Sequence, residues 1–145
     1  MTRTAPPFGS ALIGQTEKAL NAILERRLAG TGVSEPQWVT LTLANVGPSP
    51  VARADLVTRV RTATRFAERA VADRVAELAA AGLLHVDDAD QVHVTDTGRA
   101  RWTEIRTDLG KITADLWGDL PEADLAVAGR VLAAVLDRAH ARLDG

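Results

Sequence analysis

The feature that most constrains this chain is a change of hydrophobic period at Gly82. Before it, apolar residues recur every three or four positions, the spacing of one helix face; directly after it they alternate, the spacing of a strand. Val71, Val75 and Leu78 carry the helical period into Ala79-Ala80-Ala81-Gly82, where a glycine free to take the left-handed conformation ends the helix. Leu83-Leu84-His85-Val86 and Val92-His93-Val94-Thr95 flank the polar segment Asp87–Gln91 and predict a β-hairpin. Two strands alone are marginal, so this hairpin has to lean on the helices before it.

The rest of the chain reads as helices. Ile13, Leu20, Ile23, Leu24 and Leu28 predict a helix from about Ser10 to Leu28, stopped by Gly30 and Gly32. Ser34 opens the next, with Gln37 placed for a capping box and Pro36 tolerated in the first turn. It carries Trp38, Leu41 and Val46 and ends at Gly47-Pro48-Ser49-Pro50. A short helix over 53–61 buries Leu56, Val57 and Val60; a turn holding Thr62 and Thr64 follows, then a helix from about Arg65 to Ala81 burying Phe66 or Ala67 with Val71, Val75 and Leu78. After the hairpin, Thr95 caps a long helix reaching about Trp117, with a seam of Trp102, Ile105, Leu109, Ile112 and Leu116. Gly118–Pro121 breaks the chain, and a last helix over about 122–143 presents Leu125, Ala128, Leu132, Val135 and Ala139. The expected class is mostly α (α+β), one domain over 1–145: a winged helix-turn-helix over 34–97, with long helices over 10–30 and 98–143 forming a dimerisation region.

Composition removes several functions. A chain of 145 residues suffices for one core, and without Cys it has no disulfide, thiolate metal site or thiol switch. The only serines, Ser10, Ser34 and Ser49, lie near a terminus, a cap and a turn, and no Gly-rich phosphate loop or His-rich metal motif occurs. No enzyme and no cofactor is expected. No apolar stretch is long enough to cross a bilayer, and the start at Met1 lacks the apolar run of a leader, so no membrane partner and a cytoplasmic location are expected.

Charge is segregated. The net formal charge is −2, yet between Arg53 and Arg74 six Arg face three acids, a local +3 that leaves −5 elsewhere. A short helix, a turn, a longer helix and a hairpin make up the winged helix-turn-helix, whose second helix enters the major groove of double-stranded DNA. On that helix Arg65, Arg69, Ala72 and Asp73 fall opposite the buried residues. Arg65 and Arg69, four apart, are read as sharing a side for guanine or phosphate contact. Arg59, Arg61, Thr62 and Thr64 are expected near phosphate, Ala72 to admit the backbone to a base, and Asp73 either to accept from cytosine or to repel phosphate. The alternative is that these arginines only solubilise the helix and pair with Glu68 and Asp73.

From Leu12 to Leu143 the chain resembles the MarR family of transcriptional regulators. The resemblance is carried by Val75-Ala-Glu-Leu-Ala-Ala-Ala-Gly82-Leu-Leu, followed by Val92-His-Val-Thr95-Asp-Thr-Gly98-Arg. It implies a homodimer joined by its terminal helices, repressor-style regulation by DNA binding, and a small-molecule effector pocket beside the winged helix, for which Trp38 and Trp102 are candidate walls, although a role as plain core aromatics is the stronger reading of both. Three departures stand out. The wing tip Asp87-Asp88-Ala89-Asp90-Gln91 is short and acidic where the family carries arginine; the spacing from Leu56 to Leu78 is about one helical turn longer; and Asp73, beside Arg74, replaces an arginine. The acidic wing and Asp73 favour an alternative, a winged-helix protein-interaction module that has lost DNA binding. His85 and His93 fall opposite each other if Asp87 pairs with Gln91, but without a clear third ligand no metal site is assigned.

Overall fold

The structure, a computed structural model, describes residues 4–145; Met1 to Arg3, part of the start read for a leader, lie outside the described residues. The chain divides into two compact units, one ending at Leu109 and the other covering Gly110–Gly145.

The first unit begins with α1 (Ser10–Leu28) and α2 (Glu35–Val46). The capping box opening α2 is formed as read: Ser34 Oγ accepts from the Gln37 N–H and Gln37 Oε1 accepts from the Ser34 N–H. A strand absent from the sequence reading follows, β1 (Val51–Ala52), then α3 (Arg53–Thr64), α4 (Glu68–Ala80), β2 (Leu84–Val86), β3 (Gln91–Val94) and α5 (Asp96–Trp117). Two residues between Pro50 and a helix start show no period to detect, and tertiary pairing with β3 makes them a strand.

The antiparallel sheet runs β1-β3-β2, with Val51 opposite Val92, and His85 opposite His93 as the hairpin reading requires. The hairpin leans on helices through a shared core. Leu41, Leu56, Val60, Val71, Val75, Leu78, Leu84, Val92 and Ile105 are fully buried, so the helices from α2 to α5 and the hairpin contribute to one apolar centre. The end of α4 is a Schellman motif. Gly82 takes φ 78°, its N–H donates to Ala79 O, and the Leu83 N–H donates to Leu78 O, which places Leu83 and Leu78 together in the core. Thr95 caps α5 by accepting from the Gly98 N–H while donating to Gly82 O. Gly98 is buried so tightly that a Cβ there would sit 1.9 Å from Leu83 O.

The seam read along α5 divides. Trp102 and Ile105 are buried in the first unit and Leu109 packs partly against them, so these side chains are already covered within the chain. In the second unit, α6 (Glu122–Asp144) has no buried residue, and Val131, Leu132, Val135 and Leu136 are 40, 46, 39 and 55 % exposed.

Candidate nucleic-acid interface

The helix pair next to the hairpin is the candidate site. α4 turns Val71, Val75 and Leu78 inward, and a period of 3.6 then points Arg69, Ala72, Asp73, Ala76 and Ala80 away from the core. Arg69, Asp73, Ala76 and Ala80 are exposed and Ala72 is half-buried. Among the described residues Arg69 makes no hydrogen bond or ion pair, so its five N–H groups are available. Three alanines along this face leave little to hold the helix backbone away from a ligand surface. Ala76 was missed in the sequence, although the spacing from Ala72 and Asp73 points to it.

Two expectations are corrected at the helix junction. The turn placed at Thr62 and Thr64 is helix: α3 continues to Thr64, and the Thr62 and Thr64 hydroxyls donate to Thr58 O and Val60 O. Thr64 Oγ1 also accepts from the Phe66 N–H. With one O–H each, both donors are spent on the helix they belong to, so neither threonine donates to phosphate in this arrangement. Arg65 is not on α4. It ends α3 in the left-handed conformation at φ 64°, so Arg65 and Arg69 do not share a helix face. Between Leu56 and Leu78 the chain completes α3 and passes through the Arg65–Ala67 link, where Phe66 is half-buried against the core and Ala67 is exposed.

The remaining arginines of the basic stretch are partly engaged. Arg61 Nη1 lies 3.8 Å from Glu68 Oε2, an exposed pair that water screens heavily. Arg74 donates to Glu77 Oε2 at 2.7 Å, and Gln37 donates to the same carboxylate at 2.8 Å, joining α2 to α4. Those two donors, Gln37 first, hold the Glu77 carboxyl below its ordinary pKa. Arg59 lies across Gly47 at the C-terminal end of α2, where a Cβ would meet its Nη1 at 1.9 Å.

The wing tip is tightly organised. Asp87 Oδ1 accepts from the Ala89 and Gln91 N–H groups at 2.9 and 3.0 Å, and its Oδ2 meets His93 Nε2 at 2.7 Å. The His93 bond first, then the Gln91 and Ala89 amides, keep the Asp87 carboxyl below its ordinary pKa. The His85 and His93 rings lie 6.0 Å apart, but among the described residues no group of three or more His, Asp or Glu is placed to hold a metal. Arg53, at the start of α3, donates from Nε and Nη2 to the two carboxylate oxygens of Asp90 at 2.8 and 3.2 Å, a contact between residues 37 apart that has no local signature.

Trp38 and Trp102 are core residues, the latter donating from Nε1 to Thr42 Oγ1 at 3.1 Å with Arg106 stacked on its ring. A cavity of about 300 Å³ in the first unit is lined instead by Arg27, Gly30, Thr31, Arg101, Glu104 and Ile105. Arg27 is ion-paired there with Asp108, and Arg101 donates to Thr31 O at 2.7 Å.

No protein-family model and no curated protein matches the sequence. Solved structures do. CouR from Rhodococcus jostii RHA1, bound to p-coumaroyl-CoA, is similar at TM-score 0.73 and 16% identity over 86% of this chain and 89% of that one. The Mycobacterium tuberculosis MarR family protein Rv2887 in complex with DNA is similar at TM-score 0.68 and 18% identity over 90% and 98%. Bordetella bronchiseptica BpsR, whose DNA binding is regulated by 6-hydroxynicotinic acid, is similar at TM-score 0.68 and 21% identity over 91% and 99%. At such identities the likeness is one of fold: the chain has the winged-helix fold of the MarR-type regulators, as its sequence led us to expect.

Proposed function

We propose that this protein is a DNA-binding transcriptional regulator that acts as a homodimer, inserts α4 into the major groove and works as a repressor in the cytoplasm. The observation that carries the reading is the outer face of α4. It is solvent-facing, bears the unengaged Arg69, and is otherwise nearly flat, next to a hairpin wing. Arg61 and Arg59 flank it as phosphate ligands, and Arg65 reaches phosphate from the junction rather than from the reading helix. Nothing in the reading requires a catalytic step or a cofactor.

The homodimer is supported by α6, whose exposed Val131, Leu132, Val135 and Leu136 form an apolar row that a second copy would cover. Effector control is supported by the cavity beside Arg27 and Arg101, and by the likeness to CouR, bound to p-coumaroyl-CoA, and to BpsR, whose DNA binding is regulated by 6-hydroxynicotinic acid. Ligand seated there would bias the dimer between arrangements of different DNA affinity. A mobility-shift assay on the DNA upstream of the protein's own gene, at two salt concentrations, tests the reading: retardation that weakens steeply with salt supports it, and no retardation at either concentration refutes it.

A second reading, a protein-interaction module on the same fold, is favoured by Asp73, which stands exposed on the outer face of α4 and would repel phosphate. It predicts an unshifted duplex.

A further inference from the structure

The wing tip lacks a cation of its own. From Leu83 to Thr95 the sequence holds no Lys or Arg, while Asp87, Asp88 and Asp90 crowd the turn. A phosphate backbone approaching such a tip meets repulsion unless a positive group is brought in from elsewhere. Pairing of β1 with β3 brings one. Ala52 lies opposite Gln91, so the next residue, Arg53, stands beside Asp90; its backbone N–H donates to Asp90 O at 3.0 Å and its guanidinium grips the Asp90 carboxylate.

We propose that Arg53 supplies the wing's phosphate contact: a guanidinium from the start of α3, oriented at the hairpin tip by Asp90, that meets a phosphodiester of duplex DNA flanking the groove occupied by α4. The inference rests on the DNA-binding reading and adds a residue to it.

Geometry supports the assignment. A guanidinium has five N–H donors, and Asp90 takes one from Nε and one from Nη2, which leaves three directed elsewhere. The pair stands in solvent, with side chains 46 and 57 % exposed, so those donors are not covered by protein. Planar, bidentate fixing of the fork lowers the ordering cost of a further contact. The acids that oppose phosphate here are Asp88 on the turn, Asp55 in the first turn of α3, and Asp87, which is engaged by His93. Asp90 is engaged by Arg53 itself, so the tip presents one oriented cation among acids already partly occupied.

The test is fluorescence anisotropy of a labelled mixed-sequence 40-base-pair duplex, titrated with full-length protein between 50 and 200 mM KCl. Arg53→Ala should weaken binding about three- to tenfold at the low salt and reduce the log–log salt slope by about 0.9 for each guanidinium removed. Asp90→Ala, which keeps the guanidinium but frees it from the carboxylate that orients it, should keep the wild-type salt slope. The double variant should keep the reduced slope of Arg53→Ala. Thermal unfolding of each variant checks that the fold is kept.

If Arg53 only neutralises Asp90, the double variant regains wild-type affinity and slope, and the proposal is overturned. If the pair is only a tie between the wing and α3, both single variants weaken equally with no change of slope, which overturns it too. Wild type that binds while Arg53→Ala matches it defeats this inference alone. Wild type that leaves the duplex free defeats the regulator reading and this inference with it.

Discussion

Single residues decide how closely the parts of this fold approach. Gly98 lies against Leu83 O with no room for a methyl group, because the first turn of α5 is pressed on the chain leaving α4. Gly98→Ala should therefore destabilise the protein by about 1–3 kcal/mol, read from urea unfolding at constant m-value. The glycine was visible in the sequence, but its reason was not: a close approach between residues fifteen apart leaves no local signature. The same holds for the wing. The cross-strand pairing of His85 and His93 followed from counting residues around the turn, whereas the His93–Asp87 bond depends on how the turn closes. That bond makes a sign-definite prediction. A carboxyl with a lowered pKa adds stability above its ordinary range and loses it as pH falls through the lowered value. Carboxyl NMR titration should find Asp87 below the ordinary carboxylate range, and His93→Gln should move it back up.

Elements were legible where their period was long and their ends were marked. α1 and the capping box of α2 match the sequence reading, and the hairpin follows the switch of period at Gly82. The junction of α3 and α4 was misread because Thr62 and Thr64 resemble turn residues, yet each satisfies its hydroxyl four residues back along the helix. The stop belongs to Arg65, a residue seldom found left-handed, at a cost of about 1 kcal/mol. The consequence for the site is direct: Arg69 stands on the outer face of α4, a helix to which Arg65 does not belong. At the core end of the same helix, Leu78 anchors the Schellman turn and is fully buried. Leu78→Ala should cost about 2–5 kcal/mol in the same unfolding assay.

At the scale of the whole molecule, the winged-helix fold was foreseeable from the order of its elements, because helix–turn–helix followed by a hairpin admits few packings. The covering of the α5 seam was not, since Trp102 and Ile105 turn out to be spent on the core and the uncovered apolar row lies on α6. On the proposed homodimer, Val131→Asp combined with Val135→Asp should convert a dimer to a monomer in light scattering coupled to size exclusion, because a buried unpaired carboxylate is strongly unfavourable. A wild-type protein already monomeric at micromolar concentration would contradict the dimer.

The most direct test of DNA reading by α4 is the salt dependence of binding to the upstream duplex, compared between wild type and Arg69→Ala. The account predicts a steep negative slope for wild type and a loss of about 1–3 kcal/mol in Arg69→Ala if the guanidinium reads guanine, or a slope shallower by about 0.9 per guanidinium if it holds phosphate. Identical affinity and identical slope for the two proteins would contradict it.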